Sequence, residues 1–427
     1  MHDVLAVLVT SVAAGSALFF LLRWLRRKRP ELSIGAPVAI ALSVRILVVL
    51  GIALLGADFL QGSDEDGFVS DARAIDEQPF ASGPWTDALF GSLHTLVFAL
   101  QLHLLDSPDL ALRILQSAIG VAGLALLAAA VYELAGPRPA LIAAWIIALE
   151  PTNVLYSEVL HKEANMLFAA GLVSLGGATL WRRGEVSSVL TMGLGCLIAT
   201  ATRPYAGLFL IVAAAAITLH AVVKRQEHRA LKRLMVVSAV VLVAPIVISL
   251  TDTESLERLD RRQEIQTELR PDQNLALDPV DFSSREGIIT GLPQRIADVM
   301  LRPFPWQLAN TKQRLGLIGT LVVLVFLALL VRELFRNRGR IMERAGPFVY
   351  IGLGLLIAYS LSAGNAGASY RYRTQIVAVG ICLVLALLQD RIRERSRDGQ
   401  ARRWYPPSLW AAAGNRLRSP GGAPHSH

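Results

Sequence analysis

Cysteine is nearly absent from this chain of 427 residues. It has only Cys196 and Cys382, both inside apolar runs, which argues against a disulfide framework and a cysteine-based zinc site. No HExxH, Gly-rich phosphate loop or internal repeat occurs. Charged residues make up only 18% of the chain. The first stretch, "MHDVLAVLVTSVAAGSALFFLLRWLRRKR", carries its positive charges after the apolar run and not before it, so it reads as a first span and not as a cleaved signal peptide.

Apolar residues dominate instead. At 53% hydrophobic residues and a mean hydropathy of +0.46, the composition points to an all-α, polytopic transmembrane helical bundle. The net charge of +8 does not indicate nucleic acid, because the basic residues fall in short clusters at the ends of apolar runs, where they set topology. Windows of about 20 residues give about 11 expected spans, at 4–22, 34–57, 111–134, 140–155, 159–181, 187–202, 205–223, 234–250, 315–331, 348–361 and 375–388. They form one transmembrane domain over 1–390, followed by a basic tail, 391–427, that is expected to be disordered, cytoplasmic and drawn to anionic lipid headgroups.

Basic clusters follow alternate turns: Arg23 to Arg29, Arg138, Arg182 with Arg183, Lys224 to Arg233, Arg332 to Arg344, and Arg391 to Arg403. All fall on one side of the expected bundle, and the positive-inside rule places that side in the cytoplasm. Two long loops, about 58–110 and 251–314, are then extracytoplasmic, on a multi-pass protein of the plasma membrane. The first holds ten acidic residues and one basic residue, Arg73. Its "ALFGSLHTLVFALQLHLL" is apolar enough to span, yet counting it as a span would invert every later basic cluster. It reads as an interfacial or re-entrant helix.

The ionisable residues gather at the outer ends of the expected spans. "GSDEDGFVSDA" sets Asp64, Glu65, Asp66 and Asp71 directly after the second span, where partial burial and mutual repulsion raise a carboxyl toward the range of a general base; a solvated acidic loop is the simpler account. "EPTNVLYSEVLHKEANMLF" clusters Glu150, Glu158, His161, Lys162 and Glu163, either lining a cavity or snorkelling to the interface. Arg203 in "ATRPYAG", and Tyr370, Arg371 and Arg373 in "AGNAGASYRYRTQ", lie on the same side. These arginines run against the cytoplasmic bias, and guanidinium groups there suit a phosphate gripped beside lipid; pairing with the acidic loop is the alternative. In "MLRPFPWQL", Trp306 and Phe304 serve as interface anchors or as a platform for a sugar ring. No spacing is diagnostic of a metal, although the carboxylates are of the kind that hold a hard divalent cation.

These motifs resemble those of the GT-C superfamily of polytopic glycosyltransferases, in particular its protein O-mannosyltransferase and aminoarabinose-transferase branch. "DEDGFVSDA" is similar to the family's first-loop Asp-Glu with an aromatic four residues on, Phe68 standing for the more usual Tyr. "DLALRILQSAIG", "AGPRPALIAA" and "EPTNVLYS" look like its following segments, with Arg113, Arg138 and Pro151 at matching places. The resemblance covers about 56–207 and is looser beyond.

It implies an inverting transfer of a sugar from a polyprenyl-phosphate carrier to a glycan, lipid or protein acceptor of the cell envelope, within membrane lipid and without nucleic acid. Carried over, Asp64 is the base, with Glu65 or Asp66 sharing that role or holding a metal. Lys162, Arg203, Arg371 and Arg373 hold the donor phosphate, and Glu163, Tyr370 and Trp306 are substrate-contact candidates. An O-antigen-type polymerase or ligase leaning on Arg285, Arg295 and Arg302 is the second reading. A transporter or flippase is the third; it predicts mid-membrane charges and symmetric broken helices, whereas the charges picked out in the sequence gather at one face.

Overall fold

The computed structural model describes residues 2–55, 63–106, 108–156, 160–224, 277, 285–308 and 311–392. Among the described residues the chain is helical and has no strand. The chain opens with α1 (His2–Lys28) and α2 (Gly35–Leu55). Three short helices follow: α3 (Ser63–Asp76), α4 (Gly83–Gly91) and α5 (Leu93–Leu105). Next come α6 (Asp109–Ala135), α7 (Pro137–Leu149), α8 (Pro151–Tyr156), α9 (Glu163–Arg183), α10 (Ser188–Thr202) and α11 (Pro204–Lys224). The later part gives α12 (Arg285–Leu301), a 3-10 turn at Pro305–Gln307, α13 (Thr311–Arg336), α14 (Ile341–Ser362) and α15 (Ala366–Leu387).

Eight of these helices (α1, α2, α6, α9, α11, α13, α14 and α15) are long and apolar enough to cross a membrane. A span needs about 20 residues because each contributes about 1.5 Å to a core about 30 Å thick. Two other expected spans are shorter apolar helices, α7 and α10, and 234–250 lies outside the described residues. The apolar stretch of the first long loop is α5, which is also too short to count as a span. Most of the second loop and the tail after 392 likewise lie outside the described residues.

Prolines set several boundaries. Pro137, Pro151 and Pro204 each open a helix, where the missing N–H costs nothing. The expected span over 140–155 is therefore broken between α7 and α8. Glu150 bridges the break, its carboxylate accepting from the backbone N–H of Thr152 (3.1 Å) and Asn153 (2.6 Å).

Burial separates the helices into a centre and a shell. α9 is 94% buried and α15 is 89% buried over their apolar windows, against 22% for α1 and 28% for α13. Exposed large apolar residues of the shell include Leu8, Phe20, Leu321 and Val325. The central contact of α6 with α9 is close because it is made by glycine: a Cβ at Gly123 would sit 2.7 Å from the Phe168 nitrogen, and one at Gly171 would sit 2.8 Å from the Gly123 oxygen. Small residues at such crossings let backbones approach where lipid supplies no hydrophobic drive.

The bundle has two polar ends. α9 runs from Glu163 at one to Arg183 at the other. At the Arg183 end, Glu133 of α6, its side chain enclosed, pairs with Arg29 (2.7 Å) and Arg183 (2.8 Å), and Lys28 pairs with Glu185 (3.2 Å). Arg344 pairs with Asp390, and Arg391 with Glu333, beyond the end of α15. The expected basic clusters around residues 29, 183, 344 and 391 therefore engage one another's neighbours at one end, while the acidic α3 and the start of α15 belong to the other.

Candidate functional site

The Glu163 end is organised around the segment Leu160–Glu163, which enters α9. α3 docks on it through Glu65. Arg113 of α6 donates from Nη1 to Glu65 Oε1 (3.2 Å) and from Nη2 to Oε2 (2.9 Å), and the Leu160 N–H donates to Oε1 (2.6 Å). Both side chains are buried. A two-pronged guanidinium–carboxylate pair fixes orientation as well as distance. Glu65 is thus committed to holding α3, and its oxygens are occupied.

The neighbouring carboxylates differ. Asp66 is exposed and, with Arg73, Glu77 and Asp109, lines a cleft of about 490 Å³ whose inner wall is Glu65 with Arg113. Arg73 and Asp109 face each other across it at 3.5 Å. Asp64 lies in the first turn of α3, and its side chain falls outside the described residues.

One turn on, Phe68 packs under the same segment. The Lys162 ammonium lies 5.0 Å from its ring centre, a cation–π arrangement. His94 of α5 meets the ring edge-on at 5.1 Å. His94 itself is fully buried: its Nε2 donates to the Leu160 carbonyl (3.3 Å), while Nδ1 accepts from the amides of Asn165 (3.3 Å) and Gln116 (3.4 Å). Gln116 also donates to the His161 carbonyl (2.6 Å). These partners require the neutral Nε2–H tautomer. Burial, aided by the charge of Lys162, pushes the His94 pKa down to about 3. Burial and then the charge of Arg371 push His161 well below the usual histidine value.

The basic candidates close in from the other side. Arg203, at the α10–α11 junction, donates from Nη2 to Glu163 Oε1 at 2.6 Å, with both residues buried. Its guanidinium lies 4.5 Å from the centre of the Tyr372 ring and 5.9 Å from that of Tyr359. Gln375 of α15 donates to the Glu163 carbonyl (3.3 Å), locking α15 to the head of α9. Arg371, half-buried, acts electrostatically on His161 and on Tyr156, whose hydroxyl burial pushes up against the pull of Arg371 and Arg373.

Arg373 has a different occupation. It is 1% exposed, and Nη1 donates to the Arg302 carbonyl (2.9 Å) and Thr320 Oγ1 (3.0 Å) while Nη2 donates to the Gly316 carbonyl (2.8 Å). It stacks over Tyr370 at 5.3 Å and pins the chain after α12 to α13. That chain carries Phe304 and Trp306, stacked with ring centres 5.0 Å apart, Trp306 being 78% exposed at the rim. Arg302 is held by Asp298 at 2.9 Å, and Arg295, buried, donates to the Ala363 carbonyl.

The structure therefore gathers Lys162, Glu163, Arg203 and Arg371 about one segment, places Glu65 in a latch beside it and Arg373 with Tyr370 one turn away, and leaves Trp306 at the edge. Among the described residues no group of three or more His, Cys, Asp or Glu is placed to hold a metal ion.

Two participants escaped the sequence reading. His94 had no local signal, because its amide partners lie 22 and 71 positions away. Arg45 had one, being a lone arginine in the middle of the second apolar run. It is fully buried and donates to the carbonyls of Ala41 (3.1 Å) and Ala148 (3.2 Å), the latter in the last turn of α7 just before the Glu150 break. Charged groups at that depth are costly and turn to the interior. No protein-family model, curated protein or solved structure matches the chain.

Proposed function

We propose that this protein is a GT-C-like membrane glycosyltransferase that moves a sugar from a polyprenyl-phosphate carrier to a cell-envelope acceptor, with inversion, on the extracytoplasmic face. One observation carries the reading. The acidic helix α3 is latched by Glu65 onto Arg113 and Leu160, beside the segment that bears Lys162 and Glu163 and collects Arg203 and Arg371. Residues up to three hundred positions apart thus present carboxylates and cations at one end of an apolar bundle.

The chemistry needs those two halves. The acceptor hydroxyl oxygen attacks the anomeric carbon, the bond from that carbon to the carrier phosphate breaks, and the hydroxyl proton passes to a carboxylate. The departing polyprenyl phosphate takes the electron pair, so cations beside it lower the barrier. Burial divides the work. Asp64 and Asp66 remain as base candidates because Glu65 is committed to Arg113. Lys162 and Arg371, partly accessible, are assigned to the phosphate. Arg203 and Arg373, enclosed and bonded, hold the frame. Lys162 lies over the Phe68 ring and Arg371 acts on the buried His161 and Glu163, in surroundings where charge acts more strongly than in water.

The experiment is transfer from a radiolabelled polyprenyl-phosphate hexose by the full chain in proteoliposomes, with a panel of hexoses and envelope acceptors. Removing a general base costs on the order of 10²–10⁴ in rate. Loss of that size in D64N or D66N, with unchanged melting, supports the reading. Full activity in D64N, D66N and the double variant overturns it.

A further inference from the structure

The cleft of about 490 Å³ beside α3 holds more chemistry than a single base. Asp66, Ser70, Arg73 and Glu77 recur at intervals of four, three and four residues, so they share one face of the helix. The Glu77 N–H donates to the Arg73 carbonyl (3.0 Å), which carries the helical turn to the end of the row. At about 1.5 Å per residue the row is about 16 Å long. All four residues line the cleft and are exposed at its mouth. The facing wall is the start of α6, with Asp109 and Arg113. Glu65 and Arg113, buried in their two-pronged pair, make the floor rigid. Phe68, with Lys162 over it, lies on the other side of α3 and does not line the cleft. The two sides meet at the first turn of α3, which holds Asp64 and Asp66.

Along this row acceptors alternate with donors. The carboxylates of Asp66 and Glu77 accept, the Arg73 guanidinium donates, and the Ser70 hydroxyl does both. A sugar hydroxyl likewise donates and accepts, so successive ring hydroxyls match such a row. Apolar contact is limited to Val69, Ala74 and Leu160, which gives a lipid tail little to bind. Extended peptides are taken up at strand edges or in apolar and aromatic grooves, and this cleft is neither. Charge narrows the choice further. Glu65 matches Arg113 and Asp109 matches Arg73 (3.5 Å), so Asp66 and Glu77 carry the surplus. The cleft is net negative and disfavours saccharides that bear carboxylates or phosphates.

We propose that the cleft between α3 and α6 seats a neutral glycan lengthwise, with Arg73 and Glu77 gripping it at one end and its other end delivered to the first turn of α3. The binding site stands on the cleft itself; calling its occupant the acceptor rests on the transferase reading above. On that reading the acceptor is a glycan and not a lipid or a protein. Ser70, Arg73 and Glu77 then set acceptor specificity without touching the reacting atoms.

The test measures binding of maltotriose, cellotriose, mannotriose and galactotriose to the full chain in nanodiscs, by saturation-transfer NMR, with trigalacturonic acid as the anionic match. Wild type is compared with R73Q, E77Q and D71N; Asp71 is an exposed carboxylate of α3 that does not line the cleft. Arg73 and Glu77 are exposed, so both variants fold, and melting checks it. At least one neutral trisaccharide is expected to bind, about tenfold more weakly in R73Q and in E77Q, the worth of one hydrogen bond to a charged group. D71N is expected to bind as wild type does. The uronate is expected to bind more weakly than the neutral sugars, by a margin that E77Q narrows. Binding of none of the four, equal binding in wild type, R73Q and E77Q, an equal loss in D71N, or uronate binding as tight as neutral overturns the site. A serine-rich peptide that binds more tightly than every trisaccharide overturns the glycan assignment. Transfer assays separate the two readings. If hexose moves to an envelope acceptor whose KM is the same in E77Q, the acceptor role falls and the transferase reading stands. If trisaccharide binding follows E77Q while no hexose moves, the transferase reading falls and the glycan site stands.

Discussion

Arg113 grips Glu65 with both terminal guanidinium nitrogens, at 2.9 and 3.2 Å, in surroundings that leave neither residue more than 7% exposed. The pair joins a helix of the first long loop to the core of the bundle, and it turns the middle one of three consecutive acidic residues into a structural part.

The two members of this latch are expected to respond asymmetrically to substitution. R113A strands a buried carboxylate and should cost about 3–5 kcal/mol. R113K keeps the charge but loses the two-pronged geometry, and should recover only part of that. Apparent melting in detergent checks this, and transfer activity in R113K should fall together with stability.

Acid should loosen the same region. Protonation of His94 is resisted by burial, so its folded pKa of about 3 lies below the unfolded value of about 6.5. The unfolded chain then binds the proton first. Stability from this group is full above about pH 6.5 and falls as the pH drops, at about 1.4 kcal/mol per unit, until about pH 3. H94Q removes one of two such rings, His161 being depressed as well, and should lessen the slope of the acid limb in a melting series between pH 7 and pH 4.

The break between α7 and α8 offers a third test. E150A removes the acceptor from two buried N–H groups and should cost roughly 1–3 kcal/mol. Because α8 leads into Leu160–Glu163, transfer should decline by more than the folded fraction does, while E150Q, which keeps one acceptor oxygen, should restore most of it.

Packing at the centre should be intolerant of a single methyl. G123A sets a Cβ 2.7 Å from the Phe168 nitrogen, a backbone atom that cannot rotate away. A loss of about 1–3 kcal/mol is expected. Alanine at Gly15 of α1, which meets no atom within 4 Å, should be neutral in the same assay.

Much of this architecture could be read from the chain itself, for specific reasons. Long apolar runs marked every one of the eight spanning helices, because a lipid core admits few other solutions. Arg29, Arg183 and Arg344 marked one end of the bundle because charge clusters at span termini. Pro151 was visible, but a 20-residue hydropathy window averages over it, so the expected span at 140–155 ran through a real break. The site was legible only as a list of ingredients. Asp64, Glu65 and Asp66 are chemically alike in sequence, and only the fold decides that Glu65 meets Arg113 while Asp66 faces a cleft. Arg203 and Arg373 read as phosphate grips or as partners of the acidic loop, and their partners are instead Glu163 and the carbonyls of Arg302 and Gly316. Pairings of that reach depend on tertiary structure and leave no local pattern.

The enclosure of α15 bears on biogenesis. It touches α6, α7, α9, α13 and α14, all of which leave the ribosome before it does, and its hydropathy is among the lowest of the eight spanning helices. Such a segment enters the bilayer by slotting between walls already standing. Arg371 and Arg373 ride on it, so these two cations join Lys162 and Arg203 at the Glu163 end only once the last described helix is in place.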